Sequence, residues 1–141
     1  MDHVLLDTDV LLDFFFDRTP YSNHTAVVLH HCEEKKIKGF VTPVIVANLY
    51  YLLRKTARHE LVIDKLNQLL SILDIAEVNR NVVVQALQSD FKDFEDALQH
   101  FSAIEQKDIH IILTRNTKDF KHSALAVLTP EAYLSVNLRQ K

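Results

Sequence analysis

Hydrophobic and polar positions alternate along this chain in short blocks, and the period of the blocks changes from one to the next. His3-Val4-Leu5-Leu6 is an apolar run that ends in Asp7-Thr8-Asp9. A run this short does not distinguish strand from helix by period. The acids behind it favour a buried parallel strand feeding a polar turn. Val10 to Phe16 then reads as a short, strongly apolar helix, with Asp13 one turn beyond Asp9 on the same face. Asp17-Arg18-Thr19-Pro20 is a break. Ser22 or Asn23 is the expected cap of a second helix running to about Lys36, where lysines suit a helix C-terminus. Ile37 to Thr42 is a second strand. Pro43 opens a third helix that carries Asn48 and ends in Arg54-Lys55 and Arg58-His59. Apolar residues at positions 62, 63, 66, 69 and 70 mark a helix from Leu61 to Leu70. Ile72 to Ala76 is a third strand, and Asn79 is placed to cap a helix from Val82 to Leu87.

The stretch from Ser89 to Phe120 organises the rest. It opens with Asp90, Asp93, Glu95 and Asp96. Phe94, Ala97, Leu98, Phe101 and Ile104 follow at helical spacing and predict one face packed on a sheet. Ile109 to Leu113 is a strand, and Thr114-Arg115-Asn116 with Asp119-Phe120 closes the unit as a polar loop. If helix and strand run antiparallel, the helix start lies beside the strand's C-terminal end, where α/β sheets place their sites. Ala124 to Leu128 is the last strand, and Pro130-Glu131 opens a terminal helix. Strands alternating with helices imply an α/β fold, a central, mainly parallel sheet covered on both faces. With no repeat or linker in its 141 residues, the chain reads as a single domain, 1–141.

Composition narrows the function classes. The net charge of −3 excludes a global basic field, so any nucleic-acid contact needs a local patch. The single glycine, Gly39, excludes phosphate-cradling glycine loops. One cysteine, Cys32, excludes an internal disulfide and fits a cytoplasmic protein. No apolar run approaches the roughly 18 residues of a membrane span, and no signal-peptide pattern opens the chain. The histidines lack zinc-ligand spacing, and no serine or cysteine nucleophile motif occurs.

The chemistry therefore rests on acids. Asp7, Asp93, Asp96 and Asp119, with Asp9, Asn48 and Asn116, form the candidate site. Clustered carboxylates repel and need a counter-charge, which a hard divalent cation provides. Each residue also has a plainer reading. Asp93-x-x-Asp96 fits a helix cap, Asp7 a turn, Asp119 a loop end, and Asn48 a solvated helix position. Thr8 either orients a ligand carboxylate or is a turn hydroxyl. Arg115, Lys118, Lys121 and His122 either hold substrate phosphates or form a solvated loop. Phe14-Phe15-Phe16 and Tyr50-Tyr51 put aromatic residues around two short helices, so part is expected to be exposed for a protein partner.

The order of these features carries a resemblance. The segments VLLDTDVLLD, TPVIVANLYYLLRK, DFKDFEDALQHFSA and TRNTKDF, with the terminal LTPEAYL, resemble PIN-domain nucleases, and among them the small VapC-type toxins. The resemblance covers nearly the whole chain. It implies a PIN-like α/β/α sandwich and Mg²⁺- or Mn²⁺-dependent cleavage of RNA. It assigns Asp7 and Asp96 to the first and third acids, and the fourth to Asp119, with Asn116 second in line. It also implies a small antitoxin protein as partner, or a second subunit in a homodimer. The usual second acid is a glutamate where this chain has Asn48. Asparagine offers an oxygen without charge, so a catalytically weak or inactive PIN module that binds RNA or protein is the alternative.

Overall fold

A computed structural model describes residues 1–106, 108–121 and 123–139, the last three as backbone. His122 lies outside the described residues. In chain order the elements are β1 (His3–Leu6), α1 (Thr8–Phe15), α2 (Tyr21–Glu33), β2 (Lys38–Val41), α3 (Pro43–Leu53) and α4 (His59–Leu70). They continue with β3 (Leu73–Ile75), α5 (Arg80–Leu87), α6 (Phe94–Gln106), β4 (Ile111–Leu113), a 3-10 turn (Thr117–Phe120), β5 (Ala126–Leu128) and α7 (Pro130–Arg139). The strands form one sheet in the order β3-β2-β1-β4-β5, and every pairing is parallel. The expected α/β fold with a mainly parallel sheet is what the chain adopts.

Both faces of the sheet are covered, which is why β1 shows no apolar–polar alternation. Val4 and Leu6 point into a core shared with Val10 and Leu11 of α1, Val28 of α2, Ile45 of α3, Leu66 of α4 and Tyr133 of α7. Leu5, between them, points the other way, into a core with Phe40, Ile112, Ala103 of α6 and Phe120. Residues Val82 and Ala86 of α5 pack on Ala97 and Leu98 of α6 as an outer layer. Gly39 has a steric reason rather than a turn. A Cβ there would sit 2.5 Å from Leu73 Cδ2 and 2.8 Å from Cys32 Sγ, so β2 and its neighbours close only over a residue with no side chain.

Several helix ends follow the local signals. Thr42 Oγ1 accepts from the Ile45 amide at 3.1 Å ahead of Pro43, and Asn79 Oδ1 accepts from Val82 at 3.0 Å. Others differ. Neither Ser22 nor Asn23 caps α2: the helix starts at Tyr21 without a capping side chain, and the Ser22 hydroxyl donates to Asp17 Oδ1 at 2.9 Å. It also stops at Glu33, short of Lys36. There the Lys35 amide donates to Cys32 O and the Lys36 amide to His31 O, with Lys35 left-handed at φ 61°. α1 ends the same way on Asp17, φ 49°. These are Schellman closures built without glycine, so the usual sequence signal is missing. Arg58 and His59 do not end α3; His59 opens α4. β4 and β5 are shorter than expected, beginning at Ile111 and Ala126.

The amphipathic reading of α6 needs the largest correction. Phe94 and Ile104, at the two ends of its apolar stripe, are 46% and 40% exposed. The inward face includes Asp96, Gln99, His100 and Ser102 beside Ala97, Leu98 and Ala103. A helix that bridges a core and a polar crevice must turn some polar residues inward, and hydrophobic period does not register them.

Candidate active site at the switch point of the sheet

β1 has β2 on one side and β4 on the other, so the crossovers leave in opposite directions and open a crevice at the strands' C-terminal ends. Asp7 follows β1 directly, and its amide donates to Leu113 O of β4 at 3.0 Å. Its carboxylate is 6% exposed and closely held. Oδ1 accepts from the Thr8 amide at 2.7 Å, as the N-cap of α1, and Oδ2 from the Thr114 hydroxyl at 2.7 Å. The Gln99 side chain donates as well. Burial raises the Asp7 pKa above the ordinary carboxylate value; these hydrogen bonds oppose the shift, and the charge of Asp93 adds to it.

Asp9 sits on the first turn of α1, where its Oδ2 accepts from the Arg115 amide at 3.1 Å. Burial, then the charge of Asp7, pushes it up to about 6. Asp96 lies in the first turn of α6, reached across the crevice. Burial pushes it up to about 7, and the charges of Asp7, Asp93, Asp119 and Glu95 add in that order. Acids from β1, α6 and the turn after β4 therefore share one electrostatic neighbourhood, as the antiparallel helix–strand arrangement predicts. Among the described residues, no lysine, arginine or histidine forms an ion pair with any of these carboxylates.

The remaining candidates fall in different places. Asp93 caps α6, accepting from the Asp96 amide at 3.0 Å. Asp119 is exposed in the 3-10 turn. It lines a cleft of about 350 Å³ with Asp93, Phe91, Lys118 and Lys121. Asn116 is exposed and gives its amide to the Thr114 hydroxyl at 3.0 Å. Asn48, on α3, donates its side-chain amide to Glu95 Oε2 at 2.8 Å.

Two expected roles shift. The Thr8 hydroxyl is buried without a hydrogen-bond partner. The hydroxyl that orients Asp7 belongs to Thr114, just past the end of β4, where no local pattern reveals it. The Arg115 guanidinium does not extend into the loop. Its Nε and Nη2 grip Asp13 at 2.6 and 2.9 Å, and it stacks 4.1 Å from the Tyr21 ring centroid. Asp13 is only 1% exposed, so this bidentate pair answers a buried charge before any phosphate.

Thr114, Gln99 and Glu95 are the participants that sequence reading did not place in the site. Gln99 stands three residues after Asp96, on the same helical face, and that spacing is the one signal that could have found it.

The donor set suits a hard cation. It offers oxygens in excess of the positive charge available, and Thr8 Oγ1, Asp9 Oδ1 and Gln99 Oε1 are buried without partners around Asp7. Among the described residues, no three histidine, cysteine, aspartate or glutamate side chains converge closely enough to enclose a metal ion. An ion held here would take one or two of these carboxylates and keep several waters, as Mg²⁺ commonly does.

The chain's likenesses agree with this architecture. Ribonuclease VapC1 of Aquifex aeolicus (strain VF5) is 26% identical over 137 residues, 94% of this chain and 93% of that protein. Two solved structures share the fold. One is a toxin–antitoxin complex from Klebsiella pneumoniae: TM-score 0.68, 22% identity, 90% of this chain and 97% of that one. The other is VapBC2 from Rickettsia felis bound to a DNA fragment from its promoter: TM-score 0.65, 19% identity, 89% of this chain and 96% of that one. The PIN domain family profile matches residues 3–118, most of the chain, including Asp7, Asn48 and Asp96. The chain belongs to the PIN domain family.

Proposed function

We propose that this protein is an endoribonuclease that hydrolyses RNA phosphodiester bonds with Mg²⁺ or Mn²⁺, and that it is the toxin of a toxin–antitoxin pair. The observation that carries the reading is that the charges of Asp7, Asp93 and Asp119, from separate segments, all act on the buried Asp96, while no cationic side chain among the described residues pairs with Asp7, Asp96 or Asp119. The likeness to Ribonuclease VapC1 supports the substrate class. A bound divalent ion supplies charge neutralisation and Lewis-acid activation of water and of the scissile phosphodiester. Asp7, Asp96 and Asp119 hold it directly or through waters, with Asp93, Glu95 and Asn48 at the margin. Thr114, Gln99 and the Thr8 amide fix the Asp7 carboxylate, as outer partners of a ligand do. Lys118 and Lys121, in the cleft beside Asp119, contact the RNA backbone. Asp7→Asn and Asp96→Asn are each expected to lower Mg²⁺-stimulated RNA cleavage by more than about a hundredfold, beyond the usual loss from an outer partner. Circular dichroism should show both variants folded. Full cleavage by both sinks the reading.

The partner proposed is a small antitoxin protein, in keeping with the toxin–antitoxin complexes that share the fold. Its expected seat includes the exposed aromatic residues Phe14 and Phe16, 38% and 37% exposed. Phe14 lines a groove of about 430 Å³ with Phe15, Leu29, Leu69 and Ile72.

A further inference from the structure

Asn48 and Glu95 are 47 positions apart, yet one hydrogen bond of 2.8 Å joins α3 to the first turn of α6. The donor is the Asn48 amide nitrogen and the acceptor is one oxygen of Glu95. The other oxygen, Oε1, makes no hydrogen bond or ion pair among the described residues. Glu95 immediately precedes Asp96, so whatever orients it sets a charge at the rim of the crevice. Its charge is one of those that Asp96 feels.

A carboxylate in this position is held by a donor that is neutral. A lysine or arginine at position 48 would cancel the negative charge as it oriented it. An asparagine orients the carboxylate through its amide and leaves the charge intact. A glutamate at position 48 would meet Glu95 as a like charge and lose the hydrogen bond. Residue 48 and residue 95 therefore make sense as a pair: one carboxylate and one neutral holder.

We propose that Glu95 supplies the acidic group missing at position 48, facing the cation directly or through water, and that Asn48 is the positioning residue that aims it. The proposal rests on the reading of the crevice as a divalent-metal site. It replaces the picture of a site weakened by Asn48 with one whose charge has moved from α3 to α6.

The test is calorimetric titration of the whole protein with Mn²⁺ alone, with no RNA present. Glu95→Gln is expected to weaken Mn²⁺ binding about tenfold or more, and Asn48→Ala to weaken it less. In the Glu95→Gln background, Asn48→Ala should have no further effect, because nothing remains to position. Asn48→Glu combined with Glu95→Gln should return affinity to within about threefold of the parent. Thermal melting of each variant separates loss of fold from loss of ligand. Parent-like Mn²⁺ affinity in a folded Glu95→Gln variant overturns the proposal. If Asp96→Asn abolishes binding in the same series, the nuclease reading survives that failure. If the parent protein does not bind Mn²⁺, both fall together.

Discussion

The side chains of the crevice divide by what they answer. Asp13 and Asp96 are both buried acids, but Asp13 is met by Arg115 and also by Arg18 at 3.5 Å, whereas Asp96 has no ion-pair partner among the described residues and feels the charges of further acids. The first arrangement is structural, because a buried charge deprived of its partner is expensive. Arg115→Ala should cost about 3 kcal/mol of stability by urea unfolding, the low end for a broken buried pair, since Arg18 remains. A loss below about 0.5 kcal/mol would show that Arg115 is a surface charge after all. The second arrangement is a reservoir of unbalanced charge, and unbalanced charge is what a cation can use. Thr8 and Thr114 make the same contrast. The hydroxyl adjacent in sequence is idle, and the one 107 positions from Asp7 makes the contact.

At the level of helices and strands, the closures of α1 and α2 carry the clearest cost. Asp17 and Lys35 occupy left-handed backbone, which disfavours residues with a Cβ. Asp17 is held there by Ser22, while the Lys35 side chain makes no hydrogen bond or ion pair among the described residues. Lys35→Gly should therefore stabilise the protein by about 1 kcal/mol, read as a raised urea midpoint with an unchanged slope. A destabilised variant would mean that unfolded-chain entropy outweighs the relieved strain. α6 teaches a different lesson about elements. Its N-terminus does three things in four residues: Asp93 caps it, Glu95 meets Asn48, and Asp96 enters the crevice. The plain reading of Asp93 as a cap holds, and it sits beside the site reading without excluding it.

Across the whole molecule the raised carboxyl groups tie stability to pH. Asp9 at about 6 and Asp96 at about 7 lie above the ordinary value of 3.8, and Asp7 is raised in the same direction. Groups raised on folding bind protons more tightly in the native state. Their contribution is full below the unfolded pKa and is lost as pH rises through the folded values. The metal-free protein should therefore melt at a lower temperature near pH 7.5 than near pH 5.5, and Asp96→Asn should flatten that dependence. Mn²⁺ should restore the melting temperature near pH 7.5 and do little near pH 5.5, where protons compete for the same oxygens. A melting temperature indifferent to Mn²⁺ at the higher pH counts against the site.

The layered α/β fold was legible in the chain, because burial of apolar surface writes its period locally. Runs such as Val4 to Leu6, the proline at 43 and the caps at 42, 79 and 93 each act within a few residues. Asp7, Asp96 and Asp119 could be nominated because acids stood at strand and helix ends in a recognisable order. What folding added is contact between distant segments. Thr114 on Asp7, Arg115 on Asp13 and Asn48 on Glu95 all join residues more than 45 positions apart. Hydrogen bonds and ion pairs act over about 3 Å in space. No spacing along one strand or helix encodes which remote partner the sheet will bring within that reach.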